Sequence, residues 1–334
     1  MNPKMLHVTD MLRKRKKDLD SIIAILNLPR PFFCARQGRK VIDTSGKIDV
    51  SCKGCIAGKD AYAKAPLAID KIKDAIDYFK ANYGTIITTV TGKGDPFHPN
   101  VVDDTLGIVR HSAKMGIVPY VFTAGDHLDD RVIGTLADAG ANIMISLLGN
   151  PFIDAGFFAG KAYPRMNKPG FVDPYTIAAN IRKLIKAYRR VPTPAGTSRI
   201  GFNYVIKPAD LADATKVKGL RDAITDAGLF LICNPYFGHD IDAATTKALR
   251  AMAKAYSHFG LTHSTGFDGR CHVGAGSSCT IDYDGRLLRC PHLTTSGDGD
   301  FFSLRASGAL DGVLKGYMKD RKYSCTVRKA VMGS

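Results

Sequence analysis

Long apolar runs are missing from this chain: no stretch approaches the roughly 18–20 residues that a membrane-spanning helix needs. Residues 1–20 hold neither an apolar h-region nor a small-residue cleavage site. No secretory signal is therefore expected, and the expected setting is the cytoplasm. Glycine (33) and proline (16) are too few for a low-complexity chain. Acidic side chains are also scarce: 31 Asp and Glu face 47 Lys and Arg, a net charge of +16. That excess is about twice the upper end of what solubility alone asks of a small domain. It points to nucleic acid or another polyanion as partner, and to no membrane. What is present is 334 residues, 45% of them hydrophobic. That suffices for one large domain, or for a domain of about 200–250 residues with an appendage.

The middle of the chain alternates short apolar strands with amphipathic helices. Helices are expected at about 67–82, 100–115, 129–139, 174–189, 210–227 and 242–259. Strands are expected at 85–90, 118–123, 142–148, 199–206 and 230–234, with Pro31-Phe32-Phe33 as the first. Five or six such units make an α/β protein with a parallel, helix-covered sheet, either a full or partial barrel or doubly wound. The active site of such a sheet gathers at the C-terminal ends of the strands. Ser146, Asn203 and the turn Thr91-Gly92-Lys93-Gly94-Asp95-Pro96 all fall there.

Eight cysteines carry more information. Cys34, Cys52 and Cys55 lie early, Cys271, Cys279, Cys290 and Cys325 lie late, and Cys233 stands alone as a buried small hydrophobe. Thiols in the cytoplasm stay reduced, so the two groups read as two metal sites bracketing a domain. Three thiolates in one loop leave one coordination position open. For zinc that position takes water; for a four-iron cluster it leaves one iron free to bind an outside ligand.

Together these parts resemble the radical S-adenosylmethionine (SAM) enzymes over roughly residues 30–260. The resemblance implies a partial (β/α)6 barrel at 29–262; the basic run at 13–17 marks residues 1–28 before it as a helical segment. It implies a [4Fe-4S] cluster on Cys34, Cys52 and Cys55, whose free iron binds SAM. Gly92, Lys93, Gly94 and Asp95 stand where the family has a Gly-Gly-Glu-Pro turn against the SAM amino group, and Ser146 and Asn203 stand near its ribose-contacting positions. Three departures are visible. Seventeen residues separate Cys34 from Cys52 where the family usually has three, and residues 41–50 of that insertion read as a hairpin about Ser45-Gly46. Gly54 occupies a position often aromatic. Asp95 replaces Glu, and Lys93 interrupts the turn.

The run from Cys271 through Cys279 and Asp284-Gly285 to Cys290-Pro291 resembles the family's SPASM or twitch extension. The resemblance implies a small C-terminal domain at 263–334 with a second, auxiliary [4Fe-4S] cluster on Cys271, Cys279, Cys290 and Cys325. Asp284-Gly285 is expected to make a two-residue hairpin turn, followed by a helix at about 308–318.

The implied activity is formation of a 5′-deoxyadenosyl radical that abstracts a substrate hydrogen, for a rearrangement (an isomerase) or an oxidation. An external one-electron donor of flavodoxin or ferredoxin type is implied with it. Charge favours a base or modified base in nucleic acid. Phage-encoded radical SAM isomerases acting on amino-acid-bearing thymine in DNA are a looser resemblance of that kind. The enzyme alternative is a peptide-modifying relative. The alternative of another class is a zinc-dependent nucleic-acid-binding protein without catalysis. His98 and His127 lie beyond strand ends as acid/base candidates, and His272 and His292 flank the auxiliary cysteines. Asp126, Tyr236 and His239 are rim candidates for substrate.

Overall fold

The computed structural model of the chain describes residues 4–5, 23–36, 38–42, 48–50, 65–90, 94–235, 242–256, 276–290 and 297–319. In chain order its strands are β1 (Lys4–Met5), β2 (Ile25–Asn27), β3 (Lys40–Ile42), β4 (Ile48–Val50), β5 (Ile87–Val90), β6 (Val118–Thr123), β7 (Asn142–Ser146), β8 (Thr197–Ser198), β9 (Ile200–Ile206), β10 (Phe230–Pro235), β11 (Ser278–Ile281) and β12 (Leu287–Leu288). Its helices are α1 (Ile69–Tyr83), α2 (Val102–Lys114), α3 (Asp130–Asp138), α4 (Ala155–Phe158), α5 (Pro174–Tyr188), α6 (Ala214–Asp226), α7 (Ala243–Tyr256), α8 (Phe301–Ala306) and α9 (Leu310–Lys319). Local chemistry sets several boundaries. Asp129 accepts from Val132 N to start α3, and Asp173 with Pro174 at the first helical position starts α5. Gly84, at φ 60°, ends α1 in the left-handed conformation.

One sheet carries the molecule, in the order β10-β9-β7-β6-β5-β2-β11-β12. The strands from β2 to β10 run parallel with a helical crossover between most successive pairs, which is the expected partial (β/α)6 barrel. Register separates its two faces. Leu26, Val90, Val121, Ile143, Ile145, Phe202 and Leu231 point outward into the main core beneath the helices. Ile25, Ile87, Tyr120, Met144, Phe230 and Ile232 form a second apolar cluster on the inner face and plug its lower half. Gly201 permits that plug, since a Cβ there would meet Met144 Cε at 2.9 Å and Phe230 Cδ1 at 3.0 Å.

Some expectations are corrected. The first strand is Ile25–Asn27, inside the segment expected to be an appended helix, and residues 31–33 are not strand. The Pro-Phe-Phe run lies beyond the end of that strand, in the loop that leads to Cys34. The C-terminal hairpin does not stand apart: β11 pairs in parallel with β2 and extends the barrel sheet. Its turn has three residues, with Asp282 N donating to Arg286 O and Gly285 at φ 94°. Arg286 bonds both Asp282 and Asp284, which draws the turn into this longer form. The insertion after Cys34 is a hairpin as expected, with Ile42 opposite Ile48. No helix among the described residues is long and apolar enough to cross a membrane.

Candidate functional site

The loop after β2 and the loop after β5 meet above the C-terminal edge of the sheet. Asp95 N donates to Phe33 O at 2.9 Å, which sets the Gly94-Asp95 turn directly against the residue before Cys34. A Cβ on Gly94 would collide with the Phe33 carbonyl, so only glycine allows this approach. Cys34 is partly exposed. The Asp95 side chain is buried at 6% exposure and turns inward. It accepts from Phe97 N (2.9 Å), Thr123 Oγ1 (2.9 Å) and Ala124 N (3.0 Å), so it shapes the turn and ties it to the end of β6. Burial, and then the neighbouring Asp126 charge, push its pKa up against those three donors.

Arg36, two residues after Cys34, was not singled out by sequence reasoning. It is 1% exposed and pairs with Asp126 at 2.7 Å, while its other nitrogens donate to Gly149 O and Ala124 O. Asn150 donates to Ala124 O (3.0 Å) and Ser146 O (2.7 Å). One guanidinium thus holds together the loops after β2, β6 and β7. A lone arginine beside a cysteine is the only trace of this in the sequence, and its carboxylate partner lies 90 residues away.

His98 stacks on Phe33 at 5.3 Å between ring centroids, and His127 meets His98 edge-on at 5.4 Å. His98 Nδ1 accepts from Asn100 N at 3.2 Å, so the neutral ring carries its proton on Nε2. Burial, then His127, lower the His98 pKa, while Asp95 opposes the shift. His127 Nε2 has no hydrogen-bond partner among the described residues.

Below this rim the inner face is polar. Ser146, the last residue of β7, is the register partner of Asn203, which lies midway along β9. Asn27 and Thr89 join them, with Thr89 Oγ1 donating to Asn27 Oδ1 at 2.6 Å. Asn27 Nδ2 donates to Ser278 Oγ and Cys279 O, both at 2.8 Å, and so clamps β11 to β2.

Cys279 lies in the outward core with Leu314 and Tyr317, and burial raises its thiol pKa. Arg289 donates to Tyr317 O at 3.1 Å and lies over its ring, while Cys290, just beyond the end of β12, is buried. Cys233 is buried in the same outward core, and burial pushes its thiol up to about 12. Gly92, Lys93, Cys52, Cys55, Tyr236, His239, Cys271, His272, His292 and Cys325 lie outside the described residues. Among the described residues no three His, Cys, Asp or Glu side chains group for a metal. What is described fits a cluster site: a partly exposed thiol on the sheet's C-terminal rim, a glycine cradle beside it, and polar groups below.

No family model matches the chain, and no curated relative does. Solved structures match its fold. Streptococcus suis SuiB bound to S-adenosylmethionine is similar at TM-score 0.54 and 14% identity, over 95% of this chain and 70% of that one. SuiB bound to its precursor peptide SuiA gives 0.55 and 13%, over 95% and 71%. Native anSMEcpe with bound AdoMet gives 0.56 and 10%, over 92% and 88%. These neighbours are radical SAM enzymes. With six parallel strands open at one side and a cysteine loop pinned over their C-terminal ends, the chain has the radical SAM fold.

Proposed function

We propose that the chain is a radical SAM enzyme whose catalytic cluster is held by Cys34, Cys52 and Cys55. When bound, cluster and SAM would supply a 5′-deoxyadenosyl radical for hydrogen abstraction, with the electron coming from an external flavodoxin- or ferredoxin-type donor. The observation that carries the reading is the Asp95 N to Phe33 O bond, which joins cysteine loop and glycine turn in a SAM enzyme's fold. The chain's own work is orientation and exclusion of water. The backbone of residues 92–95 would receive SAM, with Asp95 holding the turn's shape. Ser146 and Asn203 offer polar contacts below, and the Tyr120, Met144 and Phe230 plug closes the floor. A second cluster would use Cys271, Cys290 and Cys325, with Cys279 left as a core thiol.

For the substrate we propose a base in nucleic acid, on the strength of the +16 charge. A flipped or single-stranded base suits a strand-end pocket with a basic rim. Peptide modification is the second reading, favoured by the SuiA peptide on SuiB and the Kp18Cys peptide on anSMEcpe (TM-score 0.51). The test is anaerobic reconstitution, iron and sulfide analysis, and detection of 5′-deoxyadenosine after one-electron reduction with SAM. About eight irons with matching sulfide fit two clusters, and about four fit one. Zinc without iron would overturn the enzyme reading in favour of a binding module. Stimulation of SAM cleavage by oligonucleotide or by peptide then separates the two substrates.

A further inference from the structure

Residues 155–200 hold nine Lys or Arg and a single acid, Asp173. That acid is consumed internally: it accepts from Met166 N, Tyr175 N, Thr176 N and Thr176 Oγ1. The loop before α5 is thereby fixed to the helix start, with its cations facing outward. Arg165 lies over the Tyr175 ring at 4.6 Å and Lys168 over Phe171 at 4.9 Å. Aromatic faces hold these cations in place without neutralising them. Neither they nor Lys40 is in an ion pair among the described residues, and all three are exposed.

This loop is stitched to the cysteine insertion. Lys40 N donates to Gly170 O, and Val172 N donates to Lys40 O, both at 2.8 Å. Lys40, six residues along the chain from Cys34, is thereby bridged to Phe171, whose ring Lys168 covers. Exposed apolar side chains flank the same place. Tyr175 (41% exposed) and Ile48 (53%) are the large hydrophobics most open to solvent among the described residues, and Ile48 sits on the hairpin of that insertion.

We propose that Lys40, Arg165 and Lys168 with Tyr175 form a docking track for single-stranded nucleic acid, leading to the rim that bears Cys34. Each nucleotide offers a phosphate and a flat base, and the track alternates cations with an exposed ring. An acidic peptide would match the cations alone. The track deepens the nucleic-acid form of the function proposed above.

The test is fluorescence anisotropy of a labelled oligonucleotide of about 12 nucleotides on the reconstituted full chain, across a salt series. Three phosphate contacts contribute a slope of about −2 in log affinity against log salt. The double variant Arg165→Gln, Lys168→Gln is expected to reduce the slope by about 1.4 and Tyr175→Ala to weaken binding about tenfold. Lys183→Gln with Lys186→Gln, further along α5, serves as the charge-matched control. Equal losses in the control, or no oligonucleotide binding, would overturn the track. Displacement by polyglutamate as efficient as by unlabelled oligonucleotide would overturn it in favour of an acidic peptide. Iron content and SAM cleavage are read separately: their loss sinks the enzyme reading and leaves the track, and absent oligonucleotide binding does the reverse.

Discussion

Arg36 concentrates the cost of building this rim into one side chain. Asp126, 9% exposed in its side chain, relies on it for neutralisation, and two carbonyls share its remaining nitrogens. Arg36→Ala is expected to destabilise the fold by about 3–5 kcal/mol, because it strands a buried charge. Chemical denaturation of Arg36→Ala alone and with Asp126→Asn checks this: the second change should restore part of the loss. Gly94→Ala acts differently. It should leave the sheet intact by circular dichroism yet lower iron incorporation, since the turn and the Cys34 loop can no longer touch. His98 gives a pH signature. Its folded pKa lies below the unfolded value of about 6.5, so its share of stability is present above that pH and is lost as pH falls through the folded pKa. His98→Asn keeps an acceptor for Asn100 N and should flatten that dependence in urea midpoints measured from pH 5 to 7. Little of this was legible in the sequence. Cys34, Gly94 and Asp95 stood out by their order, whereas the inward turn of Asp95 depends on Thr123 and Ala124, which no local pattern links to it.

Among the elements, helices and most strands follow directly from the sequence pattern, and β6 lies where its short apolar run put it, at 118–123. The first strand is not where Phe32 and Phe33 suggest it, because Ile25–Asn27 lies in a short apolar run directly after the charged run at 13–20 and inside the segment expected to be helical. The terminal hairpin was legible as a hairpin but not as part of the barrel, since nothing in Ser278–Ile281 names β2 as its neighbour. Its two cysteines are separable by experiment. Cys279→Ala should cost about 1 kcal/mol as a small core deletion and leave iron unchanged. Cys290→Ala should remove up to half of the iron. Equal iron loss from both variants would return Cys279 to the ligand set. Asn27→Ala, which cuts the clamp between β2 and β11, should cost about 1–3 kcal/mol in unfolding free energy.

At the scale of the whole molecule, charge and fold carry different information. The parallel sheet fixes where chemistry happens, and it resembles enzymes at 10–14% identity, which leaves substrate choice to the surface. The surplus of cations was visible in composition, but its gathering beside the cysteine insertion depends on the pairing of Lys40 with Phe171. No sequence pattern announces that bridge.

The bond from Asn27 to Cys279 spans 252 residues of chain. During synthesis Asn27 emerges 252 residues before Cys279, which lies in the strand that covers one edge of β2. Until then that edge exposes unpaired N–H and C=O groups, an opening for pairing with another unfinished chain. The closing step is also a long-range one and correspondingly slow. Versions truncated before residue 276 should therefore collect in inclusion bodies even though the six parallel strands from β2 to β10 are present. Full-length protein should gain more soluble yield from slowed expression than a fold of local contacts would.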